Sequence, residues 1–191
     1  MQVSRQRQIR MGPPPDREIN LFISESTTYS RLKAKGLCHR GVIPDFYGTI
    51  RKIQPASWPS LTMFLDDELP PNATVIEYIP NLQQIDLSNY TERRLETLRD
   101  ILDEIHNAGV LHGDAYPRNM MVSLSPGERD RVLWIDFDSA QTFAEGDSLS
   151  SRQRQWVGDE VELVDYFVDA LPKDFEEGRL NRTWSYYHQY D

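Results

Sequence analysis

Cysteine is almost missing from this chain: Cys38 stands alone, so no disulfide can form within it. Long apolar runs are missing too, which leaves no candidate membrane span. The opening stretch carries Arg5, Arg7 and Arg10 around Pro13, Pro14 and Pro15 and lacks the apolar core of a signal peptide. The expected location is therefore cytoplasmic, and the Asn-x-Ser/Thr matches at Asn72, Asn89 and Asn181 are expected to be chance. Positive charge is short, with 21 Lys and Arg against 30 Asp and Glu, a net −9. That balance disfavours nucleic acid and anionic membrane as partners, since both demand neutralisation of phosphates. No internal repeat and no low-complexity tract occurs. What is present is ordinary globular composition: 191 residues, 39% hydrophobic and 27% charged. This suits one domain, or two small lobes sharing a core.

Residues 1–21 read as a flexible leader, because consecutive prolines cannot enter a helix interior. A helix is expected over residues 24–35, with Tyr29 and Leu32 on one side and Gly36 as its stop. Strand-like runs follow at 46–50, 60–65 and 73–79, the last halted by Pro80, and these three predict a small antiparallel sheet. The strongest periodicity lies in residues 91–107, where Leu95, Leu98, Ile101, Leu102 and Ile105 recur at three- and four-residue steps. Gly109 ends that helix. Strands are expected at 120–124 and 132–135 around a turn at 125–130, and a second helix over 159–171. The closing residues 184–190 are aromatic and mixed, and read as packing.

Two segments concentrate polar residues at the ends of apolar elements. The first is Leu111-His112-Gly113-Asp114-Ala115-Tyr116-Pro117-Arg118-Asn119; the second is Trp134-Ile135-Asp136-Phe137-Asp138. Hard cations take oxygen ligands, a few from protein and the rest from phosphate and water. Asn119 and Asp136 as ligands, with Asp114 free to orient a hydroxyl, meet that need. For each residue a plain reading stands beside this one, since Asp and Asn favour turns for local reasons.

The two segments resemble the catalytic and metal-binding loops of the protein-kinase-like superfamily, H-x-D-x-x-x-x-N followed by D-x-x. Gly113 and the Asp136-Phe137-Asp138 turn are similar to the aminoglycoside/choline-kinase and fungal kinase-like branches. The resemblance implies Asp114 as catalytic base, Asn119 and Asp136 as magnesium ligands, and His112 as a brace that in another reading serves as acid or base. Asp138 is either an extra metal ligand or a turn residue. The segment 75–79 resembles the hinge between kinase lobes, which implies adenine contacts from the backbone of Glu77 and Ile79. Glu25 resembles the glutamate of the family's N-lobe helix. The implied architecture is α+β: a truncated kinase-like fold with a reduced N-lobe over 22–79, one helix on a small antiparallel sheet, and a reduced, mainly helical C-lobe over 80–191.

The chain also departs from that pattern. Gly12 is the sole glycine before Glu25 and no lysine precedes Lys33, so the glycine-rich phosphate loop and its lysine are not recognisable. Without an arginine at position 113, control by an activation-loop phosphate is not expected. The leading expectation is a phosphotransferase using ATP and Mg2+ on a hydroxyl of a small molecule. Two alternatives stand beside it: a pseudokinase that binds a protein partner, and a repurposed cleft doing ATP-independent chemistry on a small metabolite. A second chain, identical or not, could complete the lobe.

Overall fold

The computed structural model describes residues 2–4, 17–124, 130–146 and 148–187. Arg5, Arg7, Arg10, most of the expected turn at 125–130 and the tail from His188 lie outside the described residues. The architecture is α+β, as expected. A three-stranded antiparallel sheet has the order β1-β3-β2, built from Gln2–Ser4, Asn72–Ile76 and Phe46–Ile50. Helix α1 (Leu21–Ala34) packs on it. The rest comprises a second sheet of β4 (Leu82–Gln84), β6 (Met120–Ser123) and β7 (Arg131–Trp134), the ribbon β5 (Val110–Leu111) with β8 (Gln141–Thr142), and helices α3 (Glu92–Asn107) and α4 (Ser151–Glu177). A short α2 (Leu37–Arg40) follows α1, and α5 (Trp184–Tyr187) closes the described chain.

The apolar stripe of α3 does what its spacing predicts. Thr91 caps the helix by accepting from the Arg94 N–H, and all five stripe residues are buried. Burial of each such side chain contributes about 2 kcal/mol of transfer free energy. Trp134, fully buried, donates its indole N–H to the Leu98 carbonyl at 2.9 Å and so ties β7 to α3. Tyr29 and Leu32 of α1, Phe137 and Phe167 complete the same core. Among the described residues no helix is long and apolar enough to cross a membrane.

Three expectations are corrected. Residues 60–65 are not a strand: Pro55 and Pro59 each open a 3-10 turn, at Pro55–Ser57 and Pro59–Phe64, because proline's fixed φ suits a helical first position and its missing N–H cannot serve a ladder. The sheet's third strand is instead Gln2–Ser4, paired antiparallel with β3, so the expected leader is partly sheet. The leader also ends earlier, since the Asn20 side chain accepts from Ile23 N–H and starts α1 at Leu21. Finally, α4 runs well beyond 159–171. A reciprocal Ser150–Gln153 cap starts it, Pro172 is tolerated inside it, and Gly178 in the left-handed region stops it. The Asn72 and Asn89 side chains are buried and hydrogen-bonded to backbone, which fits the reading of those matches as chance.

Candidate active site

Strand β5 delivers His112, Gly113 and Asp114 to one end of the core, and β7 delivers Ile135 and Asp136 beside them. The two loops are lashed together. His112 is fully buried, with its ring near those of Trp134 (5.0 Å) and Phe137 (4.7 Å). Burial pushes its pKa down, so the ring is neutral at physiological pH. Its Nε2 lies 3.1 Å from the Ile135 carbonyl, which can only accept, so Nε2 carries the hydrogen. The ring meets no solvent, and its contacts run between the two loops. The Asn119 carbonyl accepts from Ile135 N–H at 3.2 Å and fastens the far end of the same loop to the second segment.

Gly113 shows why arginine is absent there. Its φ is +79°, and a Cβ would stand 2.2 Å from the Ser139 carbonyl oxygen. Only glycine accepts both the conformation and the approach. The position is set by packing between the loops.

Asp114 is not free, as the spacing had suggested. Tyr116 is extended before Pro117, and the 3-10 turn Pro117–Asn119 folds back over the aspartate. Arg118 Nε then donates to Asp114 Oδ2 at 3.2 Å, its Nη2 pairs with Oδ1, and Asn119 Nδ2 donates to Oδ2 at 2.7 Å. The same amide nitrogen donates to the Asp114 carbonyl at 2.8 Å, which leaves Oδ1 as the atom of Asn119 able to take a metal. Asp136 sits at φ +63°, a left-handed conformation that Asp adopts more readily than most residues. Asp138 accepts from Ser139 Oγ at 2.9 Å; burial, and then the charge of Asp136, push its carboxyl up.

Glu25, on α1, is fully buried, and neither of its oxygens accepts a hydrogen bond. Burial raises its pKa to about 7; the Thr74 hydroxyl pulls the other way, while Asp136 and Asp138 add to the rise. Unlike the solvated helix residue that was its plain reading, it is an orphaned acid beside the second loop. The Glu77 side chain forms a two-pronged pair with Arg131, at 2.6 and 2.8 Å, and also accepts from Asp45 N–H. Its own N–H donates to the Asp45 carbonyl, so contacts to a base would use its carbonyl. Ile79 is buried one turn further on.

Three residues escaped the sequence reading. Arg118 and Arg131 hold Asp114 and Glu77. Glu160 of α4, nearly buried, accepts from the backbone N–H of His112 at 3.0 Å and of Gly113 at 2.7 Å, and meets His106 Nε2 at 2.7 Å. Burial alone would raise the Glu160 carboxyl, but these donors hold it below its usual range. An acid interrupting an apolar helix stripe was the available signal. A cavity of about 390 Å³ opens beside Gly113 and Ala115, lined also by Arg17, Tyr116, Gln141, Trp156, Asp159 and Glu160.

These loops fall inside the segment that known sequences match. A model of the lipopolysaccharide kinase (Kdo/WaaP) family matches residues 50–153, more than half of the chain. The chain belongs to that family. Membership in the Kdo/WaaP kinases supports the kinase-like superfamily read from the two loops; Glu25 and Glu160 lie outside the matched segment. A solved structure, WaaP in complex with acyl carrier protein, is similar at 18% identity over 88% of this chain, with a TM-score of 0.45. The chain spans 66% of that protein's length. No curated protein matches the chain. Among the described residues of this Kdo/WaaP family member, no three His, Cys, Asp or Glu side chains converge as a metal cage. A cation held here would draw on Asn119 and Asp136 for two oxygens and would take the remainder from phosphate and water.

Proposed function

We propose that this chain is a phosphotransferase that moves a phosphoryl group from ATP to a sugar hydroxyl. Asp114 orients the acceptor and takes its proton at a carboxylate oxygen, with Asn119 and Asp136 holding magnesium. The observation that carries the reading is the lashing of Asp114, Asn119 and Ile135-Asp136 into one unit, next in the chain to a cavity that Gly113, Ala115 and Tyr116 line. The residues fit a divalent cation, because Glu25 is an orphaned buried acid whose carboxyl Asp136 and Asp138 already push upward. When bound, magnesium would neutralise phosphate charge and template the transfer.

The chain's own groups do the rest. Tyr116 and Trp156 offer flat faces to a sugar ring, and Gln141, Asp159 and Arg17 offer polar edges to its hydroxyls. Arg118 balances the Asp114 charge. Glu160, on the wall of the same cavity, keeps the His112-Gly113 turn in register. Backbone groups of Glu77 and Ile79 would receive the adenine. The finer placement beside aminoglycoside and choline kinases rests on Gly113 and the Asp136-Phe137-Asp138 turn.

The test is transfer of phosphate from ATP to a panel of aldoses and acidic sugars, beside calorimetric titration of ATP with and without magnesium. Asp114→Asn is expected to lower kcat by about a thousandfold with little change in nucleotide affinity. Asp136→Asn removes the magnesium dependence of ATP binding. Full activity in either variant, or no magnesium-dependent ATP binding by the native chain, overturns the reading.

A further inference from the structure

A second cavity, with charged walls, shares no lining residue with the one beside Gly113. It measures about 640 Å³ and lies where the end of α2, the first turn of α3 and the start of β7 meet. Strand β7 separates the two sites: Arg131 at its start faces this cavity, while its far end leads into Asp136. In a chain of net charge −9, the described residues that line this one cavity include four arginines, Arg40, Arg93, Arg94 and Arg131, and one acid, Asp130.

The arginines differ in their partners. Arg131 is held by the carbonyls of Gly41 (2.6 Å) and Ile43 (3.1 Å) and by Glu77. Arg94 is held by the Asn89 carbonyl and Asp130, and Arg40 pairs with Glu104. Arg93 is exposed and forms no ion pair with any described residue. Two guanidinium planes are therefore fixed in advance by backbone oxygens, and one is loose. Arg131, Arg94 and Arg40 already meet carboxylates, and Arg93 meets none among the described residues; guanidiniums held in place can add a phosphate oxygen through their remaining N–H groups at little further loss of freedom. The N-terminus of α3, capped by Thr91, opens into the same space and adds its positive end. The volume suits a small molecule.

We propose that this cavity binds a phosphate-bearing anion, separate from the nucleotide and acceptor sites around Asp114. Pyrophosphate represents the shared chemistry of a free phosphorylated metabolite and of a lipid headgroup.

The experiment titrates inorganic pyrophosphate into the full chain by calorimetry, with EDTA present so that no metal-nucleotide site contributes. Binding is expected in the native chain and in Asp114→Asn. The double variant Arg40→Gln/Arg93→Gln, which leaves the backbone-held arginines in place, is expected to bind at least about tenfold more weakly. A parallel sedimentation assay uses phosphatidylcholine vesicles with and without phosphatidic acid. Capture by phosphatidic acid that the double variant loses assigns the anion to a headgroup, and pyrophosphate binding without capture assigns it to a free metabolite. Binding of neither probe overturns the proposal. So does pyrophosphate binding that the double variant retains. Loss of phosphate transfer in Asp114→Asn bears on the catalytic reading alone and leaves this one standing.

Discussion

Two carboxylates in this molecule are equally hidden and could hardly be treated more differently. Glu25 and Asp174 are both fully buried. Asp174, near the end of α4, accepts from the N–H groups of Asn181, Arg182 and Thr183, from the Thr183 hydroxyl and from the Arg182 guanidinium. Burial pushes it up, the donors outweigh burial, and its pKa falls to about 2. Glu25 has no such donors and rises to about 7. Donors, more than depth, decide whether a buried acid is an anchor or a reserve of unsatisfied charge. Asp174 anchors: it turns the chain back after Gly178, so that Tyr187 donates to the Ile85 carbonyl at 2.5 Å and Tyr186 lies 5.9 Å from Tyr116. Glu25 lies within reach of the charges of Asp136 and Asp138, which add to its rise.

The contrast can be broken most sharply at Asp174. Its replacement by alanine strands five donors, and the expected loss is about 4 kcal/mol of unfolding free energy, read by urea denaturation at neutral pH. A loss under about 1 kcal/mol would make the turn ornamental. Glu25→Gln should act in the opposite direction. An acid whose folded pKa lies above its unfolded 4.5 contributes stability that is complete below that value and lost as pH rises through about 7. In metal-free buffer at pH 8, Glu25→Gln is therefore expected to raise stability by about 3 kcal/mol, and below pH 4 to change nothing. An equal effect at both pH values would remove the titration of Glu25 as the cause.

A smaller effect separates the two acids in the native chain. Asp174, with its folded pKa depressed from 3.8 to about 2, contributes stability present above pH 4 and lost as pH falls through 2. The expected contribution is about 2 kcal/mol, read as the difference between native chain and Asp174→Asn in acid denaturation. Parallel curves for the two proteins over that window would show that the turn holds without the charge.

How much of this was legible depended on whether the deciding partner lay nearby in the chain. Helix α3 was read to within a residue, because its apolar stripe is local and regular and Thr91 is a local cap. The hairpin β6–β7 and the loops it serves were equally plain. The 3-10 turns at 55–64 were misread because Leu61, Met63 and Leu65 alternate like a strand, while the prolines that forbid a ladder stand before them. The length of α4 was hidden by Pro172 and a polar first turn. Glu25 was found by resemblance, but its orphaned state is a fact of tertiary burial. Glu160 and Arg131 find their partners more than 40 residues away; the acid in the apolar stripe of α4 marks Glu160 as unusual without naming its partners, and nothing local marks Arg131. Asp114 and Arg118 are four apart, yet their pairing needed the Pro117 turn to be seen.

Gly113 carries a last consequence. With its Cα seated against the Ser139 carbonyl, the aspartate loop and the 136–140 loop have no clearance between them. Any side chain at position 113 would have to push the 136–140 loop away from the aspartate loop, so the spacing of the two loops is written into a single missing methyl group.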